Sequence, residues 1–391
     1  IFSVAAIVLW LVLAFWIGLF SAIVCGSIRR WGKAKAAWLI PIVWTGIEYF
    51  RSELYYLKFS WLNVGYAYPN FPVAPFETLG MYAIGLIVFW VAVVLAFRAS
   101  LKKRYLQIAV MALLLLLPLA WFIQFDSGMK IYAYGATHKP VSLVGIQLEF
   151  PNENILPKIL NQALTKNTNA PIFVLSEYTL DGPVPDSLKN WCREHSRFLV
   201  VGGKDPVGTN NYYDTAFVVG TNGDIIFKQV KSVPIQFFKD GLPAPEQKLW
   251  NSPWGKIGLC VCYDLSYTRV TDELVRNGAQ LIIVPTMDVM EWGRHQHELH
   301  ARVAPVRAAE YGVPIFRVAS SGISQAVSGG GRVIAQAHLP GTGEIFSAQL
   351  RLPTRGSLPL DRWLAPVCTG TTGIVLVTLL FFAWKDRRAG E

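Results

Sequence analysis

The sequence predicts an α/β layered sandwich carried between apolar helices. Three observations predict it. From about Val141 to Ala335, apolar strands alternate with helices. Apolar runs fill the first third of the chain and return near its end. Lys and Arg collect at the ends of those runs, the positive-inside pattern of membrane proteins. Of the 391 residues, 52% are hydrophobic and only 16% charged. Soluble domains carry roughly 25% charged residues, so the chain mixes membrane and soluble parts. The net charge of +10 sits beside apolar segments instead of forming a stripe, which argues against nucleic acid as a partner. The five cysteines show neither disulfide nor metal spacing. The chain opens inside an apolar run, which reads as a truncated start with further spans before it.

Five spans are expected. Ile1 to Cys25 is the first, followed by the basic stretch RRWGKAK; Ala36 to about Phe50 is the second. Residues 52–78, SELYYLKFSWLNVGYAYPNFPVAP at their centre, are too polar and Pro-broken to span, and their Trp and Tyr residues suit the membrane interface. Gly80 to Phe97 and Tyr105 to about Phe125 are the third and fourth, joined by RASLKKR; Leu364 to Trp384 is the fifth, closed by KDRR. All three basic segments lie in the cytoplasm together only if the large middle segment lies outside. The predicted domains are therefore residues 1–125 (membrane), 126–361 (extracytoplasmic, catalytic) and 362–391 (last span and basic tail).

In the middle segment, strands are expected at Val141–Gln147, Pro171–Ser176, Phe198–Gly202, Gly258–Cys262, Leu281–Pro285, Pro314–Ala319 and Gln325–Val327. Tyr213–Gly220 and Asp224–Val230 form a hairpin around Thr221-Asn222-Gly223. Arg332–Ala335 pairs with Gln325–Val327 across the SGGGR turn. Helices are expected at Asn152–Lys166, Leu188–Ser196, Asp272–Gly278 and His295–Tyr311, the last kinked at Pro305.

Three side chains share one grammar, an apolar strand followed by a reactive group. They are Glu177 after PIFVLS, Lys231 after DIIFKQV and Cys262 after KIGLCV. Strand ends are where α/β folds place chemistry. A carboxylate takes a thiol proton, an ammonium lowers the thiol pKa and stabilises an oxyanion, and sulfur attacks. Cys262 stands at a strand-to-helix turn, where the helix dipole favours thiolate and the Tyr263 N–H faces a developing oxyanion. The competing reading is a surface Glu, a solvated Lys and a core Cys. In RHQHELH, His295 and His297 point apart on a helix and HExxH is absent, so no metal and no cofactor are expected. Cys260 reads as a small core residue.

GLCVCYD resembles the nucleophile motif of the carbon–nitrogen hydrolase (nitrilase) superfamily, and VLSEYTLDG its glutamate motif. YYDTAFVVGTNGDIIFKQVKS resembles the hairpin that leads into its lysine, and HARVAPVRAAEYGVPIFRVASSGIS the helix and strand after its cysteine. WTGIEYFRSELYYLKFSWLNVGYA resembles the apolipoprotein N-acyltransferase family. That resemblance implies a four-layer α-β-β-α sandwich inserted between transmembrane helices, facing outward from a bacterial cytoplasmic (inner) membrane. It implies two acyl transfers, from a phospholipid donor to the cysteine and then to the amine of a diacylglyceryl-cysteine lipoprotein. By the same resemblance Glu177 is the base, Cys262 the nucleophile and Lys231 the lysine; Tyr263, Asp264, Glu310 and His300 are supporting residues.

Counting back from Pro234 would put Gln229 on the lysine position, and Lys228 is a further alternative. The family's KVHLVPFGE is here KSVPIQFFK, which sets Lys239, with Asp240 beside it, at a supporting glutamate; its Asn-Asn is here Ser320-Ser321. Trp61 and Tyr66 are candidates for the mouth through which an acyl chain enters. The alternatives are a membrane-tethered amidase acting on a small amide, and a catalytically inactive relative.

Overall fold

The computed structural model describes residues 2–69, 76–97, 140–236, 238–244, 246–337 and 343–390. The chain divides into two units. One comprises helices α1 (Phe2–Trp31), α2 (Lys33–Tyr49) and α3 (Met81–Phe97) with the terminal helix Asp361–Gly390. Two stretches, Ile7–Trp31 and Asp361–Ala389, are long and apolar enough to cross a membrane. α2 and α3 have 17 residues each, short of the roughly 20 that a span takes, so the second and third expected spans are met only in part. The expected fourth span falls outside the described residues. The WTGIEYFRSE stretch has a structural task in this unit. Glu48 accepts the Val64 N–H at 2.8 Å, Arg51 and Ser52 both donate to Asn63 Oδ1 at 2.9 Å, and Tyr82 donates to Glu53 at 3.2 Å. Polar side chains on α2 and the turn after it thus tie down the loop that follows.

The other unit is built from two six-stranded sheets. The first contains β1 (Val141–Gln147), β2 (Ile172–Leu175), β3 (Phe198–Val207), β4 (Asn211–Val219), β5 (Ile225–Val230) and, at its far edge, Glu344–Leu350. The second contains β6 (Leu249–Ser252), β7 (Gly255–Leu259), β8 (Leu281–Thr286), β9 (Ile315–Ala319), β10 (Gln325–Val327) and β11 (Val333–Gln336); Glu344–Leu350 is β12. Both sheets follow one plan. Three parallel strands, β1-β2-β3 or β7-β8-β9, carry one antiparallel strand on one side and two on the other. The central strand of each parallel trio, β2 (IFVL) or β8 (LIIVPT), is a near-continuous apolar run because both of its faces are covered.

Helices α4 (Leu156–Lys166) and α5 (Asp186–His195) pack Leu156, Leu160, Leu188 and Trp191 onto the outer face of the first sheet. Helix α6 (Thr268–Arg276) sets Leu274 against Gly258, where a Cβ would approach within 3.2 Å. Between the sheets, Phe316 of β9 stacks on Phe346 of β12 at 5.0 Å. This is the expected α-β-β-α layering.

The expected helix His295–Tyr311 is two helices, α7 (Gly293–Ala301) and α8 (Val303–Tyr311). Pro305 has no N–H for the Ala301 carbonyl and its ring crowds that carbonyl, so the break falls one turn ahead of the proline. β6 and β12 were not expected; LWNS is short and EIFSAQL alternates only weakly.

Candidate active site

Cys262 lies past the end of β7. It takes a left-handed backbone, φ +50°, and opens a tight turn, Cys262–Ser266, that leads to α6. A non-glycine residue there stores about 1–3 kcal/mol of strain, so its surroundings must hold it. Two braces do. The Asp264 carboxylate accepts the N–H groups of Ser232 (2.9 Å), Val233 (2.7 Å) and Val261 (3.4 Å), tying the turn to the loop after β5. Arg307 of α8 donates to the Ser266 carbonyl at 2.8 Å and is held by Glu310 at 2.6 Å. Glu310 therefore acts through Arg307, away from the sulfur. Tyr263 sits inside the turn, its ring edge-on to Tyr267.

Glu177 follows β2 and Lys231 follows β5, and both are fully buried. Lys231 Nζ lies 2.7 Å from Glu177 Oε1, 2.7 Å from Asp240 Oδ2 and 3.2 Å from Asp214 Oδ2. Glu177 Oε2 accepts the Met287 N–H at 2.5 Å, and Cys262 Sγ lies 3.6 Å from the Met287 carbonyl oxygen. Carboxylate, amine and sulfur are therefore brought together. Lys228 is instead on the surface, paired with Asp205 at 2.7 Å, and Gln229 donates to the Val230 and Glu246 carbonyls. The charge expected at Lys239 comes one residue later: Asp240 meets Lys231 and also accepts Tyr178 Oη–H at 2.8 Å and the Ile235 N–H at 2.7 Å. Glu177, Asp214 and Asp240 converge closely enough for a cation, and the Lys231 ammonium is the cation among them.

Burial raises the Cys262 thiol well above its ordinary range, and the Glu177 charge adds to this while Lys231 opposes it. The sulfur thus rests protonated, the reverse of the thiolate expected from the helix dipole. Burial pushes Glu177 up as well, but Lys231 and the hydrogen bonds from Asp214, Lys231 and Cys262 outweigh it and leave the carboxyl below its ordinary value. Burial alone would lower Lys231, yet its acidic neighbours hold it well above the usual lysine range. An ionised carboxyl therefore lies near a protonated thiol.

His300 joins a second buried cluster. Asp288 accepts from Gln296 (3.1 Å), contacts His300 Nδ1 (2.8 Å) and pairs with Arg317. Ser320 Oγ accepts the Asp288 N–H at 3.0 Å, and the Ser321 N–H donates to the Asp288 carbonyl at 3.0 Å, so the serine pair supports this cluster. His297 bonds the Val289 carbonyl at 2.9 Å, separately from His300. Sequence reasoning missed Asp214, Asp288, Arg307 and Arg317; the signal for Arg317 was a lone cation inside the apolar strand IFRVA.

A pocket of about 530 Å³, lined in part by Tyr178, Met287, Asp240, Phe150, Phe238 and Trp292, meets the Lys231 cluster through Asp240 and the Met287 backbone. Tyr66 is buried, its ring 5.8 Å from the Arg307 guanidinium, while Trp61 is half-buried against Phe59.

Residues 144–359 match the carbon–nitrogen hydrolase family, and residues 1–94 match the apolipoprotein N-acyltransferase N-terminal domain. The chain is 24% identical over 365 residues to an apolipoprotein N-acyltransferase of Geobacter metallireducens, covering 81% of this chain and 69% of that protein. It is 22% identical over 383 residues to one of Pasteurella multocida, covering 85% and 72%. Among solved structures it resembles Saccharomyces cerevisiae Nit3, a member of branch 10 of the nitrilase superfamily, with 20% identity, a TM-score of 0.46, and coverage of 55% of this chain and 90% of that one. The chain belongs to the carbon–nitrogen hydrolase family, on the apolipoprotein N-acyltransferase branch.

Proposed function

We propose that the protein acylates the α-amine of a diacylglyceryl-cysteine at the start of lipoproteins, through a thioester on Cys262 with a phospholipid as donor. The observation that carries this reading is the meeting of the Cys262 sulfur, the Glu177 carboxylate and the Lys231 amine beside a cavity walled by aromatic side chains. Glu177 takes the thiol proton as sulfur attacks the ester carbonyl. Lys231 and the Tyr263 N–H stabilise the oxyanion. The C–O bond breaks, and the leaving alcohol takes the proton from Glu177 and departs as lysophospholipid. The lipoprotein amine then attacks the thioester and gives up a proton to Glu177. The C–S bond breaks, and sulfur recovers a proton as the amide forms. Asp264, Glu310 and His300 position the turn and its surroundings without touching the acyl group.

The Lys and Arg residues beside the apolar runs support a reading in which this unit stands outside the cytoplasmic membrane of a bacterium, on a multi-pass anchor, near both lipid substrates. That proximity contributes several kcal/mol to the first step. The test is mass spectrometry of the Cys262 peptide after incubation with phospholipid, followed by addition of a diacylated lipopeptide. A fatty-acyl increment on Cys262 that moves to the lipopeptide amine is expected. Free fatty acid as the only product, or ammonia from a small amide, would point to the amidase alternative. An unmodified Cys262 with no product would point to an inactive relative.

A further inference from the structure

The amine of Lys231 is fully buried and sits among three buried carboxylates. With all three ionised, the group would carry two uncompensated negative charges, and each buried charge without a partner costs several kcal/mol. The three acids are not equally supplied with donors. Glu177 has the Met287 N–H, and Asp240 has Tyr178 Oη–H and the Ile235 N–H. Asp214 has only the longest of the three Lys231 contacts, 3.2 Å, and neither of its carboxyl oxygens receives a hydrogen bond. Its side chain lies within 4.8 Å of the ligand atoms of the other two acids. Two carboxyl groups held that close can share a hydrogen bond only if one of them keeps a proton.

We propose that Asp214 remains a protonated carboxylic acid and donates its hydrogen bond to Glu177, so that it acts as a positioning residue that sets the basicity of Glu177. This rests on the reading of Glu177 as the base. The groups facing Asp214 are Glu177, Lys231 and Asp240, with Tyr178 and Cys262 next beyond them. Burial and the neighbouring Glu177 charge both press Asp214 well above the ordinary aspartate range. In the reaction the S–H bond of Cys262 breaks and an O–H bond forms on Glu177, while the Asp214 proton stays in place. By favouring the Glu177 carboxylate over its acid form, that proton makes Glu177 a weaker base and a readier donor to the leaving alcohol.

The full chain in detergent supplies the test, with iodoacetamide alkylation of Cys262 followed against pH. Asp214→Ala removes the donor, and the acid limb should move up by about half a unit to one unit, the equivalent of one neutral hydrogen bond. Asp214→Asn keeps a neutral donor; the rate should fall a few fold while the acid limb stays in place. A downward shift of the limb in Asp214→Asn, as expected on replacing a negative charge, would overturn the proposal. Infrared spectroscopy gives a second readout that needs no variant to fold. At pH 8, ¹³C-aspartate protein should keep a protonated carboxylic C=O band that moves in D2O, since Asp264, a second buried aspartate pushed upward, lies at about 6 and is ionised there. Absence of the band overturns the proposal. Glu177→Gln separates the two ideas: an alkylation rate that survives it refutes Glu177 as the base, and the infrared band still decides the state of Asp214.

Discussion

Two buried ionic clusters lie in the same unit, and the one around Lys231 borders a cavity through Asp240. Around Lys231, three acids share one amine beside a protonated thiol. Around Asp288, one acid is shared by Arg317, His300, Gln296 and a serine-braced backbone. The second cluster is fully compensated. Burial alone would raise Asp288, but His300 and Arg317 drive it far below the ordinary range, while burial keeps His300 low and neutral. The first has more acids than bases, so a proton has to be shared. Buried charge alone is therefore a poor sign of chemistry; an imbalance of buried charge next to a reactive atom and a cavity is a better one.

The comparison can be broken by substitution. The largest effect is expected for Lys231→Met, which leaves three acids without their cation. Acyl transfer should fall by about 10³-fold or more, and stability by about 3–5 kcal/mol, measured by lipopeptide assay and denaturant unfolding. Arg317→Met should cost a similar 3–5 kcal/mol by stranding Asp288, yet lower activity per folded molecule far less. Equal losses of activity in the two variants would erase the distinction between the clusters.

A smaller effect sharpens the role of Asp264. Burial raises its folded value to about 6, above the ordinary 3.8, despite three backbone donors. Ionising it opposes folding, so its contribution to stability is greatest below pH 4 and declines as pH rises to 6, by roughly 3 kcal/mol at most. The Tm difference between pH 4.5 and 7 should therefore shrink in Asp264→Asn relative to the parent. Smallest of all is Lys228→Ala. Its pair with Asp205 is solvent-exposed, and the expected change is under about 1 kcal/mol with acyl transfer retained. A large loss of activity there would overturn the assignment of Lys231.

The parts of the site that end strands were legible in the sequence. Glu177, Lys231 and Cys262 each close an apolar run, and the motifs around them carry the resemblance that singled them out. Asp214 was not legible, because it lies within β4, where YYDTAF reads as an ordinary half-exposed hairpin strand; only the pairing of β4 between β3 and β5 turns that carboxylate inward. Asp240 was hidden by one residue of register: counting along the loop pointed to Lys239, whose carbonyl instead receives Tyr212 Oη–H. The second cluster was written in plain view as Arg317 within IFRVA and Asp288 just past LIIVPT, but its meaning depends on which strands are neighbours. Short edge strands such as β6 carry too few residues for periodicity to register.

The backbone of Met287 gives its N–H to the Glu177 carboxylate and its carbonyl to the Cys262 thiol. Two successive peptide groups joined at one Cα thus gauge the separation of acid and sulfur, and they do so with main-chain atoms alone. Met287 also lines the cavity. A substitution at position 287 therefore alters the cavity wall while the spacing between acid and sulfur is preserved.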